Sequence, residues 1–587
     1  MKTDQKNAVL RSRARLLRRP QNSKFYHERA LAKYEAEAAF DVRPPHPPLV
    51  IEFPVDWFCN PYNDKTWRLY FYSFGWLNVL CFGINKYARS DPQRSAQLLA
   101  MLHRTVLDGI EMVLVHRDNK VVWGDHATSY RTSNLSYFYA AFLCRGLSPE
   151  EDQFYRRAIG VHMEIVSGFL ESKRWRRRNH LLFHAEGLAD ACFVFGDGLL
   201  AARQGMELAV AEASIFVEEC FTDDGTVHEH ASWYHVFLMQ RVMQTVDYFS
   251  SIGQPIVLIS DEKLDRAATF LWSICPRWGI LPGYGDTQFE KKIDFQMLRQ
   301  YLMPERANVA LRQWLETSAV DEPPRLSAFP RGGYYIFREG RCTNEDALYS
   351  LFLEKRALGP HAHCDGGSFM TFFGGEPYLI DSGGPYKYHD PLRYKYFRTQ
   401  LAHNTVAFVS EGDEYSTCVQ RADVVGKVSY VVSDAEFSRG DRWRRVFGHA
   451  SSMTVFIIDF VHPVGELPPV ALFHVSPDLQ VGIALDSYQL QGRSGTCLVT
   501  FADPDGPVQC SERPEPGYAA FVTRSDVGME PGRVLTRRLQ QKRPNLTMLS
   551  FDGSRAARVR QIADVCEIDV QSPAGKLTRA VIKIPHH

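Results

Sequence analysis

The chain is short of the features that would settle its class at a glance. Lys+Arg and Asp+Glu stand at 68 each, so there is no net charge. A nucleic-acid binder usually carries a basic surplus, and none is expected here. An anionic partner must be drawn by a local patch. No apolar run approaches the ~20 residues of a membrane helix. The 12 cysteines, from Cys59 to Cys566, form no CxxC pair, so they read as scattered buried thiols and not as a disulfide framework. No repeat of fixed period and no low-complexity tract appears. Residues 1–20 hold Lys2, Lys6, Arg11, Arg13, Arg15, Arg18 and Arg19 against Asp4. No apolar core of ~7–15 residues follows, as an export signal requires. The expectation is a cytoplasmic protein.

What is present falls into two textures. At 587 residues the chain exceeds one core and predicts at least two domains. Residues 1–45 are polar and basic and read as an N-terminal arm. Within 46–322 the apolar residues follow helical spacing. Leu98, Leu99, Leu102, Val106, Ile110 and Val113 mark one helix over 93–115. Further helices are predicted at 135–146, 151–171, 181–195, 199–220, 234–251 and 262–275, with short connections that make antiparallel neighbours. Such an array closes as a ring or winds as a superhelix. The Pro/Gly-rich stretch 321–333 ends this region. Over 323–587 short runs rich in β-branched and aromatic residues take over, at 334–337, 347–353, 368–373, 405–409, 427–432 and 453–461. Gly374-Gly375 joins two of them as a hairpin. Many short strands predict an antiparallel β-sandwich.

Four clusters carry chemistry-bearing side chains. In 173–188, five basic residues (Lys173, Arg174, Arg176, Arg177, Arg178) precede Asn179-His180 at a helix start. Asn179 is either an N-cap or a cleft residue, and His180 either a surface or a cleft residue. In 222–237, His228, Glu229, His230, Trp233, Tyr234 and His235 crowd before another helix. Glu229, Tyr234 and His235 suit acid–base work, although an aromatic helix start packed on its neighbour explains the crowding equally well. The spacing is not that of an HExxH zinc site. In 361–390, His361 and His363 lie two apart and share a face of an extended segment. In 393–409 stand Arg398, His403 and Asn404. His363, Asp381 and His403 together offer two imidazoles and a carboxylate, a donor set that suits zinc.

Taken in order, these clusters resemble the heparinase II/III-like polysaccharide lyases, a family of heparin/heparan and alginate-type lyases. The resemblance runs from Trp123-Gly124-Asp125-His126 and Arg131 through NHLL (179–182) and the 224–235 pattern to H-A-H…DSGG…FR…AHNTV (361–406). It implies an (α/α) toroid followed by an antiparallel β-sandwich. It also implies β-elimination on a uronic-acid-containing anionic polysaccharide. Tyr234 then gives the leaving oxygen its proton, the C-5 proton goes to Tyr234 or to His180 or His361, and Asn179 and His180 or His361 neutralise the uronate carboxylate. Glu186, Arg178, Tyr388 and Arg398 are implied as substrate-binding residues, and His363, Asp381 and His403 as ligands of one structural zinc ion. The resemblance makes the periplasm or cell envelope the alternative location. Two other readings remain. One is a glycoside hydrolase on the same toroid, using Glu186, Asp224 or Glu229. The other is a non-catalytic carbohydrate-binding or exopolysaccharide-biosynthesis protein.

Overall fold

The computed structural model describes residues 3–17, 24–44, 46–196, 202–275, 279–293, 324–340, 347–354, 361–384, 390–408, 415–451, 453–465, 469–484, 487–502, 508–511, 520–525 and 528–585. Two compact units emerge. The first is Met1–Cys220 with Arg241–Ile259, and the second is Phe221–Gln240 with Ser260–His587. Among the described residues no helix is long and apolar enough to cross a membrane.

The first unit is helical. The 1–45 segment folds as helices Thr3–Leu16 and Lys24–Glu37, which bury Leu10, Ala14 and Leu31. Pro92–Val115 begins on the Asp91 cap, with Pro at its first position. Pro149–Glu171 opens with a capping box between Ser148 and Glu151.

The helix expected at 135–146 lies instead at Asp125–Ala141. Its first turns are polar, and apolar periodicity cannot find them. Their hydroxyls close on the helix itself: Thr128, Ser129, Thr132 and Ser136 each donate to the carbonyl four residues earlier. The helix His180–Phe195 is buried on nearly every side, as the central helix of an assembly must be. It approaches Asp125–Ala141 closely at Gly187, where a Cβ would stand 2.7 Å from the Ser129 carbonyl oxygen.

The second unit is dominated by antiparallel sheet. Its nine-stranded sheet includes Tyr334–Glu339, Leu348–Leu353, Phe369–Phe373 and Glu376–Leu379. The last two form the expected hairpin, with Gly374 and Gly375 both at positive φ. An eight-stranded sheet includes Val428–Phe437, Arg442–Ser451 and Thr454–His462. Phe337, Phe352 and Phe369 of the first sheet share one core with Val431, Phe447 and Ile457 of the second, which makes a sandwich. A three-stranded sheet, Arg555–Ile562, Val565–Gln571 and Leu577–Lys583, adds another layer. Its Cys566, Ile568 and Ile582 pack with Tyr430, Phe456 and Ile458.

Candidate active site

The helical unit gathers its polar residues at the starts of two helices. Asp125 and His126 open one, and Asn179 and His180 the other. His180 Nδ1 lies 2.6 Å from Asp125 Oδ2. Burial opposes the Asp125 charge most strongly, but the hydrogen bond from His180 together with the attraction of His180, His126 and His184 outweighs it and pulls the carboxyl down to about 2. The Nδ1 bond fixes the ring and leaves Nε2 as its outward pole.

The His180 ring is clamped. Trp175 stacks on it at 5.1 Å with planes 7° apart, and His126 lies 4.3 Å away. His184, one turn on, bonds Ser129 Oγ through Nδ1 at 2.7 Å, and burial lowers its pKa to about 3. Asn179 is buried, and its side chain makes no capping bond, so capping does not account for it.

Two other residues of the implied set serve the interior of this unit. Arg131 is fully buried, donating to His162 Nε2 and to the carbonyls of Tyr72 and Val122. Glu186 is buried, accepting from Arg241 Nη2 and Thr245 Oγ1. Arg178 is half-buried, with its guanidinium 5.6 Å from the Trp175 ring centre.

The second unit holds a denser cluster. Tyr234, in the first turn of Ser232–Ser251, stacks face to face on His361, with ring centres 3.6 Å apart and planes at 16°. His361 lies between two carboxylates, Asp286 Oδ2 at 2.7 Å from Nδ1 and Glu229 Oε2 at 3.3 Å from Nε2. Asp286 also receives His363 Nε2 at 3.0 Å and Arg393 Nη2 at 2.7 Å. Burial works against its charge, yet the two histidine hydrogen bonds hold its carboxyl far below the usual range.

The loop bearing Asp286 is tied down on both sides. Ser232 Oγ donates to the Pro282 carbonyl, and Thr287 Oγ1 accepts from the Trp233 amide. Gly285 has φ +57°, and a Cβ there would stand 2.5 Å from the His230 carbonyl and 2.7 Å from that of His361. A side chain at this position would therefore push the loop off His361.

His363, Asp381 and His403 converge, fully buried, each offering one donor atom within 4.8 Å of the others. Their chemistry fits a divalent ion of the zinc class. The carboxylate of Asp286 on His363 matches the outer partner that metal-bound histidines usually have. His403 Nδ1 lies 2.6 Å from Asp381 Oδ2. Neighbouring Asn404 pins the strand ends, donating to the carbonyls of Phe369 and Ile380. Arg398 is half-buried, 5.9 Å from the Tyr394 ring centre. Tyr388 lies outside the described residues.

Sequence reasoning missed Asp286, Arg393, Ser129 and His184. His184 had a usable signal, four residues after His180 on one helix face. Asp286 follows Gly-Tyr-Gly in a loop, and nothing local ties it to residues some 75 positions away.

Residues 321–561 match the family model described as Heparinase II/III-like, C-terminal. A sequence comparison with curated proteins finds no match. Among solved structures, one heparinase III aligns with a TM-score of 0.75 at 14% identity, covering 99% of this chain and 95% of that one. A second, with methylated lysines, gives 0.72 at 15% identity over 99% and 95%. The heparan sulfate lyase HepC from Pedobacter heparinus, as a mutant, gives 0.67 at 15% identity over 100% and 95%. The expected helical toroid followed by an antiparallel β-sandwich is the fold that these likenesses show. The chain thus carries a Heparinase II/III-like C-terminal domain on a heparinase III fold, and the family resemblance read from its motifs holds.

Proposed function

We propose that the chain is a polysaccharide lyase that cleaves a uronic-acid-containing anionic polysaccharide by β-elimination. The C-5 proton leaves to a base, a C4–C5 double bond forms, the C4–O bond breaks, and the departing oxygen takes a proton. The observation that carries this reading is the Tyr234–His361 pair, stacked at 3.6 Å, with the imidazole between Asp286 and Glu229. Tyr234 exchanges the protons, and the His361 ring, held between Asp286 and Glu229, fixes its phenol in place.

Asn179 donates to the uronate carboxylate as negative charge builds on it. His180, with its ring fixed by Asp125, presents Nε2 for the same task. His361 is the other candidate for that task. His363, Asp381 and His403 would hold one ion, zinc by the class of its donors, which when bound supplies a fixed positive charge that braces the strand ends.

Hydrolysis needs two carboxylates free to serve the scissile bond. Glu186 is held by Arg241 and Thr245. Asp224 accepts from Thr226 Oγ1 and the Arg331 amide. Glu229 is held by His361. These engagements favour elimination.

The test is absorbance in the ultraviolet band of unsaturated uronates, across a panel of heparan sulfate, hyaluronan and alginate. Absorbance should rise with at least one polymer, and Tyr234→Phe should lower the rate by about 10²–10⁴-fold. Chain cleavage without unsaturated ends would overturn the reading in favour of hydrolysis.

A further inference from the structure

The basic run before His180 is divided in its contacts. Arg176 is committed to the protein, with Nη2 3.0 Å from Glu212 Oε1, a carboxylate only 8% exposed. Arg174 and Arg178 have no acidic partner among the described residues. Both guanidiniums lie over one indole, 5.0 Å and 5.6 Å from the Trp175 ring centre. The same indole carries the parallel ring of His180.

The turns are closed by short backbone bonds. Lys173 sits at φ +53°, and the Arg178 amide donates to the Trp175 carbonyl at 2.9 Å. Trp175 itself is buried, so it offers no face for a sugar ring. It acts as a shelf that holds two cations and an imidazole together. Two guanidiniums so placed, without an internal anion, match the paired oxygens of a sulfate or a carboxylate.

We propose that Arg174 and Arg178, mounted on Trp175, form a subsite for a second anionic group of the polysaccharide, a sulfate or a carboxylate, beside the sugar that His180 engages. The inference rests on the lyase reading for the role of His180. It adds that the substrate is doubly charged near the cut and that Arg174 and Arg178, and not the whole basic run, read the second charge. Affinity thereby depends on charge density along the polymer, and a polymer with one anion per long repeat is a poor ligand.

The test is binding at several salt concentrations, on the full chain carrying Tyr234→Phe so that no polymer is consumed. The probes are heparan sulfate, chemically desulfated heparan sulfate and polymannuronate. Arg174→Gln with Arg178→Gln is compared with Arg176→Gln with Arg177→Gln, which removes the same formal charge from the same turn. Thermal melts check that each variant is folded. Arg177→Gln alone serves as the control if loss of the Glu212 partner unfolds the second pair.

The first pair should weaken binding about tenfold or more and flatten its salt dependence, as lost ionic contacts do. The control should shift binding by less than about twofold, because Arg176 is already neutralised by Glu212 and the exposed Arg177 contributes little. A loss confined to intact heparan sulfate identifies sulfate as the group read. A loss on all three probes identifies carboxylate. Equal losses in the two pairs would overturn the proposal in favour of a diffuse basic field, and so would no loss in the first. The lyase reading fails separately, if wild-type chain makes no unsaturated ends or Tyr234→Phe leaves their production intact.

Discussion

The two histidine clusters use carboxylates in opposite ways. In the helical unit, Asp125 is about a quarter exposed and bonds His180, while His184 keeps its Nε2 3.8 Å away and gives its Nδ1 to a partner of its own, Ser129. In the second unit, Asp286 is fully buried and serves His361, His363 and Arg393 together. The first arrangement is local and modular, so each part can be altered with modest loss. The second is a hub, and its members stand or fall together.

That contrast is broken most severely at the hub. Asp286→Ala removes one carboxylate and strands two imidazoles and a guanidinium in a buried setting. The loss should be about 3–5 kcal/mol, as for buried pairs broken on one side. Denaturant unfolding of variant and wild type measures it. A loss below 1 kcal/mol would show that the two histidines and Arg393 are not held by this group.

Next in size is the effect of the proposed ion at His363, Asp381 and His403, beside the hub. Dialysis against a chelator should lower the unfolding temperature, and re-addition of zinc should restore it. An ion at about 1,000 times its Kd stabilises by about 4 kcal/mol. Asp381→Asn should remove the response to chelator. An identical response in that variant would place the responsible ion elsewhere.

Asp125→Asn is the milder counterpart. The folded Asp125 carboxyl sits at about 2, below its ordinary 3.8. A carboxyl depressed by folding stabilises above its unfolded pKa and loses that contribution as the pH falls through the folded one. The contribution is about 2 kcal/mol, present above pH 4 and gone by about pH 2. The variant should therefore be less stable than wild type at neutral pH, and the gap should close between about pH 4 and 2. A gap that stays constant down to pH 2 would mean that packing, and not charge, sets the cost.

The same contrast decides what could be read from sequence. Helices such as Pro149–Glu171 and His180–Phe195 and strands such as Thr454–His462 follow apolar patterns and turn residues that act over a few positions, so their bounds were legible within about two residues. Asp125–Ala141 was found only in part, because hydroxyls bonded within the helix replaced the apolar stripe. At the sites, His180 and His361 were visible as clustered imidazoles near predicted element ends. Their carboxylate partners lie 55 and 75 residues away, set by chain topology that no local pattern encodes. The grouping of His363, Asp381 and His403 came from the chemistry of the donors and the family resemblance, since their spacing alone carried little.

The last substitution tests whether the modular cluster is as local as its geometry. Ser129 Oγ donates to the Asp125 carbonyl, so its lone pair receives the proton of His184 Nδ1. His184 is then neutral with Nε2 toward Asp125, in keeping with a pKa near 3. Ser129→Ala leaves that N–H buried and unbonded, at a cost of about 1–3 kcal/mol. The imidazole has one escape, to move its proton to Nε2 and donate to Asp125 across the present 3.8 Å. Nitrogen chemical shifts of His184 separate the two. If the proton stays on Nδ1, the full cost should appear and His180 keeps Asp125 to itself. If it moves, stability is largely spared, but Asp125 becomes shared between two imidazoles. The helical cluster would then have turned into a small hub of the kind that Asp286 forms, and the cost would surface in the orientation of His180.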